Sequence, residues 1–365
     1  MTTTERTAAS YFLPSDEPLG LVSPDGTAVK EPELAMPADD VLRQLHRGMV
    51  TGRRFDTQAT ALTKQGRLAV YPSARGQEAC EIGAILALRP QDWLFPTYRD
   101  SMAVVARGVD PVEVLTLLRG DWHCGYDPYR ANVAPQCTPL ATNTLHAVGF
   151  AHAARTKGED TVALALLGDG ATSEGDTHEA LNFAAVWKAP VVFLVQNNGY
   201  AISVPLAKQT AAPSLAHKGV GYGMPSVLVD GNDAAAVHAV VEQAVAHAAA
   251  GDGPTLIEAV TYRVESHTNA DDATRYRERA EVEKWLERDP IARLKRYLTD
   301  RALLTEQAEQ EIDAHAEQAA AALRERMNAD VALDPAELFQ HVYAEPTAAL
   351  RDQAAELAAE IGERA

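Results

Sequence analysis

Asp169 stands in the stretch LLGDGATSEGD (166–176), between an apolar run and a segment with helical spacing. Asn198 stands in QNNGYAIS (196–203), just beyond the next apolar run. The glycines around Asp169 have the look of a phosphate loop, yet the stretch offers Asp169, Glu174 and Asp176 and no lysine. A carboxylate, a carboxamide oxygen and a nearby main-chain carbonyl are hard oxygen donors of the kind Mg²⁺ takes. That ion keeps part of its shell for water and substrate phosphates. The acid can therefore hold a metal and the metal a phosphate, while glycine N–H groups and a helix N-terminus supply further donors. Alone, Gly168-Asp169-Gly170 is ordinary turn chemistry; the pairing with Asn198 is what changes its meaning.

Positioning these two residues requires adjacent strands. TVALALL (161–167) is a continuous apolar, partly β-branched run, the sign of a strand buried on both faces, and VVFLVQ (191–196) is the next. Between them HEALNFAAVWK reads as a helix, with Ala180, Phe183, Ala184 and Trp187 on one face, Ser173 and Asp176 at capping-box spacing, and Pro190 after its end. Strand, helix and strand with short connections make a right-handed parallel unit. Its strands lie about 4.8 Å apart, so both side chains reach one crevice. SVLVDG (226–231) and PTLIEAVTYR (254–263) are two more strands around an Ala-rich helix over 233–250. The pattern is an α/β, doubly wound, mainly parallel sheet with ligands at the carboxyl ends of its strands.

Upstream, helices are expected from about Asp40 to Gly66, over 76–88, and over SMAVVARG and PVEVLTLLRG, with DWLFPTYRD (92–100) a short strand or turn and 121–137 a loop. Downstream, TEQAEQEIDAHAEQAAAALRERM and AALRDQAAELAAEIGERA are amphipathic and form a helical C-terminal extension. The resulting division is an N-terminal arm (1–40), an α/β domain (41–330) and a helical tail (331–365).

The 365 residues carry a net charge of −18, with no Lys/Arg-rich block, which argues against nucleic acid or an anionic membrane as a partner. No apolar run approaches the roughly 20 residues of a membrane span. The first residues lack a secretory or transit pattern, and Cys80, Cys124 and Cys137 form no CxxC pair. A cytoplasmic, bacterial-type protein with reduced thiols is expected.

The span from GDG (168–170) to Asn197-Asn198 resembles the thiamine diphosphate signature of thiamine-dependent enzymes. From about residue 41 to about 345 the chain resembles the α subunit of the decarboxylating dehydrogenase component of 2-oxo acid dehydrogenase complexes. FDTQATALTKQG, GQEA, FPTYRD, TPLAT, VDGND, GPTLIEAVTYR, SHTNADDATRYR and DPIARLKRYL, in that order, carry the likeness. The resemblance implies the thiamine diphosphate-binding fold, with Asp169, the Asn198 side chain and the Tyr200 carbonyl as Mg²⁺ ligands. It implies that Gly168, Gly170 and Ala171 line the diphosphate, that Tyr98, Arg99 and Arg263 hold phosphates, and that Thr138 and Leu140 lie near the cofactor rings. His267, in the loop after the last strand, matches a histidine that assists acyl transfer.

Departures accompany the match. Gln196 stands where some relatives carry a charged phosphate contact, and 121–137 lacks the family's Gly-Lys-Gly-Arg run. Thr268 follows the loop histidine where animal relatives carry a phosphorylated serine, which argues against kinase control. The glutamate that activates the cofactor in two-subunit members belongs to the β subunit. The resemblance therefore implies half an active site, completed in an α₂β₂ heterotetramer that acylates the lipoyl arm of an acyltransferase core. YAIS and HTNADD resemble branched-chain 2-oxo acid members more than pyruvate members. A pyruvate or acetoin dehydrogenase α subunit is the alternative. A Mg²⁺-dependent nucleotide-binding protein would want the Lys-Ser/Thr loop this sequence lacks, and a subunit devoid of catalysis would not keep Asp169, Asn198 and His267 together.

Overall fold

A computed structural model describes residues 13–121, 124–329 and 334–364. The first twelve residues of the expected arm, two residues of the expected loop at 122–123 and the boundary expected at 330/331 lie outside the described residues. The strands are β1 (Trp93–Phe95), β2 (Ala163–Gly168), β3 (Val191–Asn197), the short pair β4 (Tyr200–Ala201) and β5 (Val204–Pro205), then β6 (Ser226–Asp230) and β7 (Thr255–Val260). Five of them form one parallel sheet in the order β1-β2-β3-β7-β6.

Leu164 and Leu166 of β2 and Val192 and Leu194 of β3 point into one core, and Ala163, Ala165, Leu167, Val191, Phe193 and Val195 into another. That alternation is the period of a strand covered by helices on both faces, and it explains why 163–167 and 191–195 are apolar throughout. The helices are α1 (Asp39–Lys64), α2 (Glu78–Leu86), α3 (Ser101–Ala106), α4 (Pro111–Arg119), α5 (Pro128–Ala131), α6 (Thr142–Lys157), α7 (Gly175–Trp187), α8 (His217–Tyr222), α9 (Ala234–Ala249), α10 (Arg279–Leu286), α11 (Pro290–Asp300), α12 (Glu306–Asn328), α13 (Glu337–Gln340) and α14 (Ala348–Arg364). α1, α2, α3, α9 and α11 cover the first core, and α6 and α7 the second. In a third cluster Leu323 and Met327 of α12 pack on Phe55, Ala59 and Leu62 of α1, while the side chains of α14 are mostly exposed. Among the described residues no helix is long and apolar enough to cross a membrane.

Three local expectations change. Ser173 and Asp176 form no capping box: Gly170–Ser173 is a 3₁₀ turn, and the chain is extended at Glu174, which becomes the N-cap of α7 without a side-chain bond. The shared face of α7 is buried only at Ala180 and Ala184. Phe183 and Trp187 remain about 40% exposed, their rings 4.7 Å apart. The arm is also less separate than its composition suggests. Leu19 bridges Val229 at the sheet edge, Leu21 and Val22 are buried, and both of their N–H groups donate to Asp233 at 2.7 Å.

Candidate active site

Four neighbouring strands deliver side chains to one place because their carboxyl ends lie side by side. Thr97 to Asp100 follow β1, Asp169 follows β2, Asn198 follows β3, and Arg263 and His267 follow β7. The register sets Gly168 opposite Gln196, so Asp169 and Asn198 leave the sheet at nearly the same level. They line a cavity of about 200 Å³, as do Tyr98, Arg99, Leu140, Gly168, Gly170, Ala171, Tyr200, Arg263 and His267. Thr138 is exposed and does not line it. Its segment is tied to the site through a bridge between Thr97 and Cys137 and a bond from Tyr98 N–H to the Cys137 carbonyl at 3.1 Å.

The cavity has an anion-seeking side. Arg99 lies with its guanidinium 5.6 Å from the Tyr98 ring centroid and donates to the Ser73 carbonyl at 2.7 Å and the His267 carbonyl at 3.1 Å. Arg263, 1% exposed, donates to the carbonyls of Ile202 (2.7 Å) and Tyr200 (3.4 Å) and to the Tyr276 hydroxyl at 2.9 Å. Its buried Nε has no partner. Among the described residues neither guanidinium has a carboxylate within ion-pair distance, and burial first, then Arg99, lowers the Arg263 pKa. Two buried guanidiniums with carboxylates near them but none in direct contact leave room for an anion to pair with them. Beside them a Cβ on Gly168 would meet nothing within 4 Å, whereas one on Gly170 would fall 2.7 Å from the Ala201 Cβ.

Across the cavity Asp169 is 1% exposed, and its Oδ2 accepts from Gln209 Nε2 at 2.6 Å. Burial raises its pKa, against the pull of the Gln209 amide, main-chain N–H groups and Arg263. A buried carboxylate in that state favours a cation beside it. Asn198 donates from Nδ2 to Gln77 Oε1 at 2.9 Å, and its Oδ1 accepts from Tyr200 N–H at 3.3 Å. No group of three or more His, Cys, Asp or Glu side chains gathers as a metal cluster among the described residues. One carboxylate with amide oxygens is the poorer donor set that suits an ion sharing its shell with phosphate, so these residues fit a Mg²⁺–diphosphate pair.

His267 closes the site. Its main-chain N–H donates to Asp271 Oδ2 at 2.8 Å, and the same oxygen accepts from the Tyr276 hydroxyl at 2.5 Å. Arg277 donates to the Arg263 carbonyl and to those of Val264 (2.5 Å) and Glu265 (2.9 Å), which fixes the start of the loop. Tyr200 donates from its hydroxyl to Glu281 at 2.9 Å, linking the loop beyond β3 to α10.

Sequence reasoning missed Gln77, Asp100 and Gln209. Gln77 lay in GQEA, where the positive φ of Gly76 (+98°) marks a turn rather than a helix. Gln196, a departure from the expected phosphate contact, is buried and donates to Asp100 at 2.6 Å. Nothing local signals Gln209, which is 40 residues from Asp169.

A parallel sheet gathering an anion site, a buried acid and a histidine at its strand ends defines an α/β enzyme that works through a phosphorylated ligand. The chain belongs to the dehydrogenase E1 component family, whose model matches residues 46–333. It is 50% identical over 346 residues, 94% of each chain, to the 3-methyl-2-oxobutanoate dehydrogenase subunit alpha of Mycobacterium tuberculosis H37Rv. It is 38% identical over 297 residues to the pyruvate dehydrogenase E1 component subunit alpha of Staphylococcus aureus N315, covering 81% of this chain and 80% of that one.

Proposed function

We propose that the chain is the α subunit of a thiamine diphosphate-dependent branched-chain 2-oxo acid dehydrogenase. In this reading it decarboxylates a substrate such as 3-methyl-2-oxobutanoate and passes the acyl group to the lipoyl arm of an acyltransferase core. The observation that carries the cofactor reading is the pair of buried guanidiniums, Arg99 and Arg263, without carboxylate partners in the cavity that Asp169 and Asn198 line. The branched-chain preference is supported by 50% identity to the mycobacterial branched-chain α subunit against 38% to the staphylococcal pyruvate-type one.

In this reading Arg99, Arg263 and Tyr98 bind the diphosphate, with Gly168, Gly170 and Ala171 bringing backbone close to it. Asp169, Asn198 Oδ1 and the Tyr200 carbonyl would hold Mg²⁺, and Leu140 would border the rings, while Thr138 stays outside the cavity. Bound thiamine diphosphate would supply the nucleophilic carbon and the electron sink that decarboxylation of a 2-oxo acid needs. His267 donates through Nε2 during acyl transfer. Besides Asp169, the acids lining the cavity are Asp100, engaged by Thr97 and Gln196, and Glu174 at the N-cap of α7. Asp100 is not free to serve the cofactor ring, Glu174 is exposed at the helix start, and the acid that activates the ring is assigned to a β subunit, in an α₂β₂ assembly.

The test is calorimetry of thiamine diphosphate with Mg²⁺ on the α/β complex, followed by decarboxylation rates for 3-methyl-2-oxobutanoate and pyruvate. Binding that Asp169→Ala abolishes, with the branched substrate faster, is expected. Binding unchanged by Asp169→Ala would sink the site assignment, and a clear pyruvate preference would overturn the substrate.

A further inference from the structure

We propose that Asp100 is a positioning residue that turns the carboxamide oxygen of Asn198 toward the Mg²⁺ site, acting through Gln196 and Gln77. This rests on the reading of Asn198 as a metal ligand. Asp100 lies ahead of α3, and no ligand role is assigned to it.

Four buried side chains form a directed chain. Asp100 Oδ2 accepts from the Thr97 N–H at 2.6 Å and the Thr97 hydroxyl at 2.7 Å, and Oδ1 accepts from Gln196 Nε2 at 2.6 Å. Gln196 Oε1 accepts from Gln77 Nε2 at 2.9 Å, and Gln77 Oε1 accepts from Asn198 Nδ2 at 2.9 Å. The Thr97 hydroxyl oxygen accepts from Arg99 N–H at 3.2 Å, which leaves its proton for Asp100. None of Asp100, Gln196, Gln77 and Asn198 is more than 6% exposed, and all four stand at the wall of the cavity.

The polarity follows from donor and acceptor inventories. Each carboxamide has one donating and one accepting end, whereas an ionised carboxylate only accepts. With Asp100 at the terminus, Gln196 must present its NH₂ there, Gln77 must present its NH₂ to Gln196, and Asn198 must present its NH₂ to Gln77. Flipping any one of them sets oxygen against oxygen or N–H against N–H in a buried site, at a cost of about 1–3 kcal/mol for each group left unsatisfied. Asn198 Oδ1 is thereby left on the far side, held only by the 3.3 Å bond from Tyr200 N–H. A metal ligand must present oxygen, so Asp100 selects the competent orientation through the two glutamines that stand between it and Asn198.

Asp100→Asn reverses the relay. The Thr97 N–H keeps the oxygen of the introduced carboxamide, whose NH₂ then faces Gln196, and each downstream amide turns over until Asn198 presents nitrogen to the metal. The Mg²⁺ dissociation constant, measured by calorimetry at saturating thiamine diphosphate on the α/β complex, is expected to rise tenfold or more. In an Asn198→Asp background residue 198 offers oxygen on both sides, and Asp100→Asn is expected to cost less than threefold. Gln196→Met leaves the Thr97–Asp100 bonds in place and cuts the relay. It provides the second variant, with a severalfold loss that Asn198→Asp again removes. Equal losses in both backgrounds, or Mg²⁺ binding indifferent to Asp100→Asn, would overturn the relay alone. Absence of Mg²⁺ binding by the wild-type complex would overturn the site assignment and the relay with it.

Discussion

Nη2 of Arg99 lies 3.0 Å from Nδ1 of His267. A guanidinium carries donors only, so Nδ1 accepts and the imidazole proton sits on Nε2. Burial first, then Arg99 and Arg263, hold the His267 pKa down to about 4, while Asp271 pulls the other way. The ring is therefore neutral throughout the neutral range. An unfolded chain takes up this proton near 6.5, so the folded form binds fewer protons between 6.5 and 4. His267 then contributes stability that is present above pH 6.5 and lost as pH falls toward 4. An imidazole NMR titration should give a midpoint near pH 4, rising when inorganic diphosphate with Mg²⁺ neutralises the two guanidiniums. A midpoint near 6.5 without added anion would contradict this electrostatic account.

Arg99→Met removes one of the two cations proposed to bind the phosphates and one source of that repulsion. Charge-assisted hydrogen bonds contribute about 1.5–3 kcal/mol, so thiamine diphosphate affinity should fall between roughly tenfold and a hundredfold. The His267 midpoint should rise in the same variant. Loss of affinity with an unmoved histidine would mean that the two groups are not coupled as the geometry requires.

Gly76 adopts a φ of +98°, and a Cβ there would lie 2.1 Å from the Tyr262 carbonyl oxygen. This turn aims Gln77 at Asn198. Left-handed backbone costs an ordinary residue about 1–2 kcal/mol and overpacking about 1–3, so Gly76→Ala should lose about 2–5 kcal/mol in urea unfolding. Gly66 also has a positive φ, yet a Cβ there meets nothing within 4 Å. Gly66→Ala should cost only the backbone part, which separates strain from collision.

The legibility of the molecule follows the range of its interactions. β2 and β3 announce themselves because burial on both faces leaves 163–167 and 191–195 wholly apolar, and Asp169 and Asn198 follow just past the strand ends. The neighbourhood of Arg99 and His267, 168 residues apart, was accessible only through the family resemblance. Composition hid the role of residues 19–22, because a strip held by two N–H bonds to Asp233 needs no periodicity of its own. The capping box failed for a related reason. Thr177 donates to the Ala171 carbonyl at 2.6 Å, a contact that spacing alone does not reveal, and the 3₁₀ turn consumes Ser173.

Arg293 makes that strip part of the core. It is 2% exposed, pairs with Asp230 at 2.8 Å and Asp233 at 3.4 Å, and donates from Nε to the Val22 carbonyl at 2.8 Å. Burial raises the Asp233 pKa, against Arg293 and the N–H groups of Val22 and Leu21. Arg293→Met would leave that carboxylate buried without its cation, a change that costs about 3–5 kcal/mol. The deficit has a sign in pH. Without Arg293 the Asp233 pKa rises further, so the folded variant holds a proton that the unfolded chain releases near the ordinary carboxylate value. Its relative stability therefore improves as pH falls and worsens as pH rises. Urea unfolding at pH 7 and pH 5 should show the larger gap from wild type at pH 7. Equal gaps would mean that the loss comes from packing of the arginine stem and the Val22 contact rather than from the stranded charge.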